Sequence, residues 1–276
     1  MRQFKLKNAI GESYDLNDLK FFLYSPSNLG YKKNLSYMKV GHRFISTKEE
    51  VSQPSPQGTI RFKSPNAYEK YYAFVRFATK EPLQLEYCPE ETSYYLDCII
   101  ESIDKTEISS RGLHCTVNLK ALGYYYREYA MEAGTDIQDG KIYDYTYPFR
   151  YADNGAGTVA LDVDSNMESP TKISIYGPTT NPTWQLYVNN VLKETGECTV
   201  EIPAGRRLVI DSMTIPYSIT EQDLIGNVIY DRYNLSNIET ERFFFLRNGR
   251  NRISVAHDGA SIPKLKVEAR VLYETV

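Results

Sequence analysis

Hydrophobic and polar residues alternate most regularly near the C-terminal end of this chain. From Lys264 to Tyr273, residues Leu265, Val267, Ala269, Val271 and Tyr273 share one phase, and Lys264, Lys266, Glu268 and Arg270 share the other. A period of two over ten residues predicts a strand with one face on a core and the other in water. Asn251 to Val255 alternates in the same way, after the turn signal Asn248-Gly249. The chain therefore ends in antiparallel β structure that holds no acid, base or metal cluster.

The N-terminal part mixes strands with one helix. Phe4 and Leu6 alternate with Lys5 and Lys7, the Gly11-Glu12-Ser13 turn follows, and Leu19 to Tyr24 forms a second apolar run. The stretch Ser25 to Tyr31 reads as a turn, with Pro26 fixing φ and Gly30 permitting a positive one. Gly58 to Lys63 alternates as a strand. Ser64 and Pro65 then read as an N-cap and a first-turn proline. From Asn66 to Lys80, Ala67, Tyr71, Phe74 and Ala78 fall at helical spacing, and Pro82 stops the helix. Leu83 to Tyr87, Thr92 to Ile100 and Leu113 to Leu119 follow as antiparallel strands, which makes residues 1–133 an α+β domain.

Residues 32–58 interrupt this pattern. Polar runs flank a modest Tyr37-to-Ile45 segment, and so long a polar excursion in a compact domain is either mobile or ordered against something else. Lys48, Glu49, Glu50, Val51, Ser52, Gln53 and Pro54 are the candidate residues of an arm lying on a neighbouring subunit.

Gly134 to Gly140 is the expected linker, and residues 134–276 read as about eight short strands. Val159, Leu161 and Val163 alternate; so do Ile173 and Ile175; so do Trp184, Leu186 and Val188, ahead of an Asn189-Asn190 hairpin turn. Val200 and Ile202 lead through Pro203-Ala204-Gly205 to Leu208 and Ile210. The expected fold is mainly β: the α+β domain, then a β-sandwich of galectin-like or jelly-roll topology. The last strand is free to pack back on the first domain.

Composition excludes more than it selects. A net charge of -3 over 276 residues offers no positive field for nucleic acid, and no apolar run reaches the roughly 20 residues of a membrane span. The opening Arg2 to Lys7 alternates charge with apolar residues and predicts no signal peptide. Four cysteines without a C-x-x-C pair, and three histidines far apart in sequence, predict neither a disulfide framework nor a zinc site. Cys98 and Cys115 lie on the apolar phases of their strands. Asp162 and Asp164, like Glu239 and Glu241, share a phase that points outward, and no local enzyme signature occurs, so no catalytic residue and no cofactor is implied. Arg247, Arg250 and Arg252 cluster around the Asn-Gly turn and read as a solvated hairpin. Trp184 shares the apolar phase, so of the aromatic residues only Tyr176 and Tyr187 stand as candidates for saccharide contact. Tyrosine itself is abundant, with 24 residues, and suits both subunit interfaces and sugar binding.

Several stretches taken together resemble the distal tail proteins of siphophages that infect Gram-positive bacteria. They are Met1 to Leu6 followed by Phe22-Leu23-Tyr24-Ser25-Pro26-Ser27-Asn28-Leu29-Gly30; Tyr176-Gly177 through Asn181-Pro182 to Tyr187-Val188-Asn189-Asn190; Val200 to Gly205 leading to Ile210-Asp211-Ser212; and Leu246 to Ile253 with the terminal strand. The resemblance implies a homo-hexameric ring at the tail tip of a virion, assembled in the host bacterial cytoplasm. It implies a tail tube protein above, and a tail-associated lysin or fibre hub below. Tape measure and receptor-binding proteins are further partners on this reading. A second function class stays open, that of a monomeric carbohydrate-binding or adhesive β-sandwich; an enzyme acting on cell-wall polymer ranks below both.

Overall fold

The computed structural model describes residues 2–18, 21–109, 112–133, 157–259 and 263–276. They divide into two compact units, one of Met1–Arg127 with Leu272–Val276 and one of Glu128–Val271. The expected linker at 134–140 lies outside the described residues.

In the first unit the strands are β1 (Gln3–Lys7), β2 (Ser13–Asp15), β3 (Phe21–Ser27), β4 (Lys33–Val40), β5 (Arg43–Val51), β6 (Gln57–Phe62), β7 (Leu83–Cys88), β8 (Tyr94–Lys105) and β9 (Leu113–Ala121), with helix α1 (Ala67–Ala78) between β6 and β7. Antiparallel pairing gives the order β2-β1-β7-β8-β9-β6-β3. Alternation sorts the side chains: Phe4, Leu6, Ile60, Phe62, Leu83, Leu85, Leu96, Cys98, Leu113 and Cys115 all point into one core. Helix α1 covers that core with Phe74 and Phe77, and Phe62 and Phe74 meet at 5.8 Å between ring centroids. Tyr273, near the chain's end, packs edge-on against Tyr94 at 5.2 Å in the same unit. Burial pushes the Cys98 thiol up to about 12 and the Cys115 thiol up to about 11. Both are protonated core residues at neutral pH.

Three local expectations need correction here. The helix is entered through Asn66, at φ 64° and without a side-chain cap, so Ser64 and Pro65 precede the helix instead of opening it. In the Ser25–Gly30 turn the positive φ values fall on Ser25 (50°) and Asn28 (59°), not on Gly30. A bulge between Tyr24 and Ser27 carries the first of them, so the strand bends where a simple turn was expected. The third concerns residues 32–58, where β4 and β5 pair as an antiparallel hairpin that polarity alone does not mark as strands.

Strand β10 (Tyr125–Ala133) is not marked by alternation, because its tyrosines fall on both phases; the boundary between the units lies within it. The second unit continues with β11 (Thr158–Val163), β12 (Ser169–Tyr176), β13 (Thr179–Thr180), β14 (Thr183–Val188), β15 (Val191–Glu197), β16 (Glu201–Ile202), β17 (Arg206–Asp211), β18 (Ser218–Asp223), β19 (Val228–Asp231), β20 (Phe245–Leu246), β21 (Gly249–Ala256) and β22 (Lys264–Tyr273). One sheet runs β19-β18-β17-β12-β22, with β20 on the end of β12; another runs β11-β21-β14-β15. Each buries one face. Ile173, Ile175, Leu208, Ile210, Leu265 and Val267 are buried in the first, and Trp184, Leu186, Val188, Ile253 and Val255 in the second. Asn189 and Asn190 take positive φ (50° and 65°) in the β14–β15 turn.

Asn248-Gly249 does not make a two-residue hairpin. Strand β20 pairs with β12 and β21 pairs with β14 and β11, so this turn carries the chain from one sheet to the other. Buried Asn251 organises it: its Oδ1 accepts from the Arg247 amide at 2.9 Å, and its Nδ2 donates to the carbonyls of Arg247 (2.6 Å) and Gly249 (2.9 Å).

Candidate interaction surface

The β4–β5 hairpin is anchored at its root and unsupported along its length. The Pro54 and Pro56 carbonyls accept from the amides of Ala121 (3.0 Å) and Leu119 (2.9 Å), extending the β6–β9 ladder by two acceptors. Proline suits these positions because the ladder there asks for no donor. Gln53 adds a side-chain bond from its Nε2 to the Ala121 carbonyl. The Ser52 amide then donates to the Lys32 carbonyl at 2.8 Å, and from that point β4 and β5 pair with each other and, among the described residues, with no further strand.

From Lys33 to Glu50 every residue of the hairpin is exposed. Phe44 is 71% exposed, Tyr37 58% and Met38 55%, and Leu35, Val40 and Ile45 are each near half. The register places Met38 opposite Ile45 and Val40 opposite Arg43, so Met38, Val40 and Ile45 share a face. Lys39 opposite Phe44 and Tyr37 opposite Ser46 put Tyr37 and Phe44 on the other face. Both faces thus carry large apolar side chains. Turn residue Gly41, at φ 60°, closes the tip. The cross-strand Lys33–Glu49 pair (3.5 Å) and the same-strand Lys48–Glu50 pair (2.8 Å) are solvated. Pairs of that kind contribute about 0–1 kcal/mol. A lone two-stranded hairpin is marginal in water, and the apolar side chains of this one are only about half covered, which leaves little to offset the ordering of its backbone.

The seven residues singled out from sequence fall on two parts of this structure. Lys48, Glu49 and Glu50 are exposed residues at the root end of β5, whereas Val51, Ser52 and Pro54 are half-buried and, with exposed Gln53, form the root itself. The apolar tip, Tyr37 to Ile45, escapes a search for alternation because its hydrophobic residues do not follow one phase. The signal that could have found it is the pair of Tyr37-Met38 and Phe44-Ile45 doublets around Gly41-His42, a hairpin with two apolar faces.

Tyr176 and Tyr187 are not brought together. Tyr176 is on β12 and Tyr187 on β14, in different sheets, and each ring already has a cation over it, Lys264 at 5.3 Å and Arg252 at 4.2 Å. Trp184 is fully buried and donates from Nε1 to the Arg242 carbonyl at 3.0 Å. Asp162 and Asp164 are exposed. Arg247, expected in a solvated loop, instead donates to buried Glu194 at 2.7 Å. Among the described residues no group of three or more His, Cys, Asp or Glu is placed to hold a metal ion, and no helix is long and apolar enough to cross a membrane.

Residues 3–122 match the family model described as the distal tail protein, N-terminal domain. Two solved structures share the fold of the whole chain. A chain of the phage P2 baseplate, in its activated conformation with calcium, aligns with a TM-score of 0.63 at 16% identity over 100% of both chains. The SPP1 Dit protein, described as a paradigm of the hub of the adsorption apparatus in phages that infect Gram-positive bacteria, aligns with a TM-score of 0.66 at 9% identity over 96% of this chain and 98% of that one. None of the curated proteins compared matches the chain.

Proposed function

We propose that the chain is a ring-forming subunit of a phage tail tip: residues 3–122 match the distal tail protein N-terminal domain, and the whole chain shares the fold of a phage P2 baseplate chain and of the SPP1 Dit protein. The ring is a hexamer whose neighbours are tied together by the β4–β5 hairpin. In this reading it joins the tail tube to the tail-associated lysin or fibre hub, meets the tape measure protein, and anchors receptor-binding components. It forms in the host cytoplasm and ends in the virion.

One observation carries the subunit contact: an ordered hairpin with six large apolar side chains exposed on two faces. Seating it on a second copy removes both faces from water, at about 25 cal/mol for each Å² of apolar surface. Its charge fits the same reading. Tyr37 to Lys48 carries Lys39, Arg43 and Lys48 and no acidic residue, in a chain whose net charge is -3. A contact between one patch and a different patch on the next copy closes into a ring when the rotation allows it.

The test replaces Asn34–Glu50 with a short Gly-Ser turn. This cut leaves the Ser52–Pro56 root on β9, which a deletion of Lys48–Pro56 would remove while leaving the apolar tip in place. The expected outcome is a folded monomer in place of the ring. An excised chain that still assembles rules the hairpin out as the subunit contact.

A further inference from the structure

Edge strand β15 turns a carboxylate inward. Glu194 sits opposite Leu186 in the β14–β15 register, two residues before Gly196, which faces Trp184. Leu186 and Trp184 are fully buried, and the Glu194 side chain is only 8% exposed. Its Oε1 accepts from Arg247 Nη2 at 2.7 Å, while its Oε2 is buried with no hydrogen-bond partner. Arg247 belongs to the crossover between β20 and β21, so this contact ties the edge of one sheet to the segment that leads in from the other.

The charges around Glu194 do not balance. Arg247 is shared with Glu168, just before β12, whose Oε1 lies 3.3 Å from Arg247 Nε. Glu241, before β20, adds a second negative charge that Glu194 feels. Strand β14 presents Trp184 and Leu186 on the inward face, and Arg252 of β21 is engaged over the Tyr187 ring. One guanidinium is thus shared by two carboxylates, of which Glu194 is the more deeply buried, and a third carboxylate acts on Glu194. Burial is the foremost cause that raises its proton affinity; Glu241 and Glu168 add to it, while Arg247 and the Phe245 amide oppose it.

We propose that Glu194 and Arg247 form a proton-operated clasp that holds edge strand β15 to the inter-sheet crossover. With a proton on the unpaired Oε2, the buried negative charge is gone, Oε1 still accepts from Arg247, and Glu168 balances the guanidinium. Loss of that proton leaves a buried carboxylate crowded by two others, and the edge strand loosens. The sign follows from linkage: a carboxyl whose folded value lies above its unfolded one contributes stability that is full below the unfolded value and is lost as pH rises through the folded one.

Hydrogen exchange of the Val191–Glu197 amides, corrected for intrinsic rate, and a carbon-detected titration of the Glu194 carboxyl test the clasp on the full chain from pH 4 to 8. The expected result is a Glu194 titration above the ordinary glutamate range. Opening of β15 should rise with it, about tenfold for each pH unit by which the titration is raised. Glu194→Gln keeps the acceptor for Arg247 without the charge and should hold β15 closed at every pH. Glu168→Gln should lower the Glu194 titration. A Glu194 that titrates as an exposed glutamate, or a β15 whose exchange has the same pH profile in wild type and Glu194→Gln, overturns the proposal.

Discussion

Two hairpins of this chain are built alike and used differently. Strands β14 and β15 pair antiparallel with a bulge at Leu186/Tyr187, and β4 and β5 pair antiparallel with a bulge at Ser36/Tyr37. The first keeps Trp184, Leu186 and Val188 on one phase and buries all three; the second divides its apolar residues between two faces and buries none of them. Backbone pairing is equally regular in both. The difference lies in what covers the side chains: the chain itself for β14–β15, and a neighbouring copy, on the function proposed above, for β4–β5.

The comparison is sharpest where the buried hairpin is damaged. Trp184→Ala removes a filled core position and its bond to the Arg242 carbonyl, and should cost about 3–5 kcal/mol, seen as a large fall in the midpoint of chemical unfolding. Gly196→Ala strikes the same contact from the other strand. A Cβ there would lie 2.4 Å from the indole of Trp184, and the expected loss is about 1–3 kcal/mol; full stability in this variant would mean that the indole has room to shift.

Glu221 on β18 gives a pH-dependent test in the same unit. Burial raises its proton affinity, but hydrogen bonds from Arg206 (2.6 Å) and Arg232 (2.5 Å) outweigh burial and hold the carboxyl below its ordinary value. Its contribution is therefore present above the unfolded value and lost as pH falls through the folded one. Glu221→Gln should be less stable than wild type at neutral pH, with the gap closing in acid; a gap constant from pH 7 to 3 contradicts the ion-pair account.

On the exposed hairpin, the same measurements should hardly move. Tyr37→Ser with Phe44→Ser removes mostly exposed apolar surface and should leave unfolding of the monomer within about 0.5 kcal/mol. Its self-association, followed by sedimentation, should weaken. A stability loss of Trp184 size from these two substitutions would mean that the hairpin packs on its own chain.

Strands whose apolar residues keep one phase are legible in the sequence. Lys264 to Tyr273, Trp184 to Val188 and Leu113 to Leu119 each bury the face that alternation marks. Strands β18 and β19 escape for a physical reason: in Ser218–Asp223 the inward position next to Ile219 is Glu221, fully buried between two arginines, and a charged residue there reads as an outward one. The β4–β5 hairpin escapes because apolar residues on both faces erase the period of two. Its root can be placed from Pro54 and Pro56, and its apolar tip only from the Tyr37-Met38 and Phe44-Ile45 doublets, which a search for one phase passes over. The inward Glu194 hides in the same way as Glu221, since its partner Arg247 is 53 residues away.

Native mass measures the central claim most directly, compared between the wild-type chain and the chain with Asn34–Glu50 excised. Six copies of the 31.7 kDa chain give a closed ring of roughly 190 kDa, and the excised protein should run as a folded monomer of correspondingly lower mass. A wild-type protein that stays monomeric at every concentration, or an excised one that still forms the ring, contradicts the account.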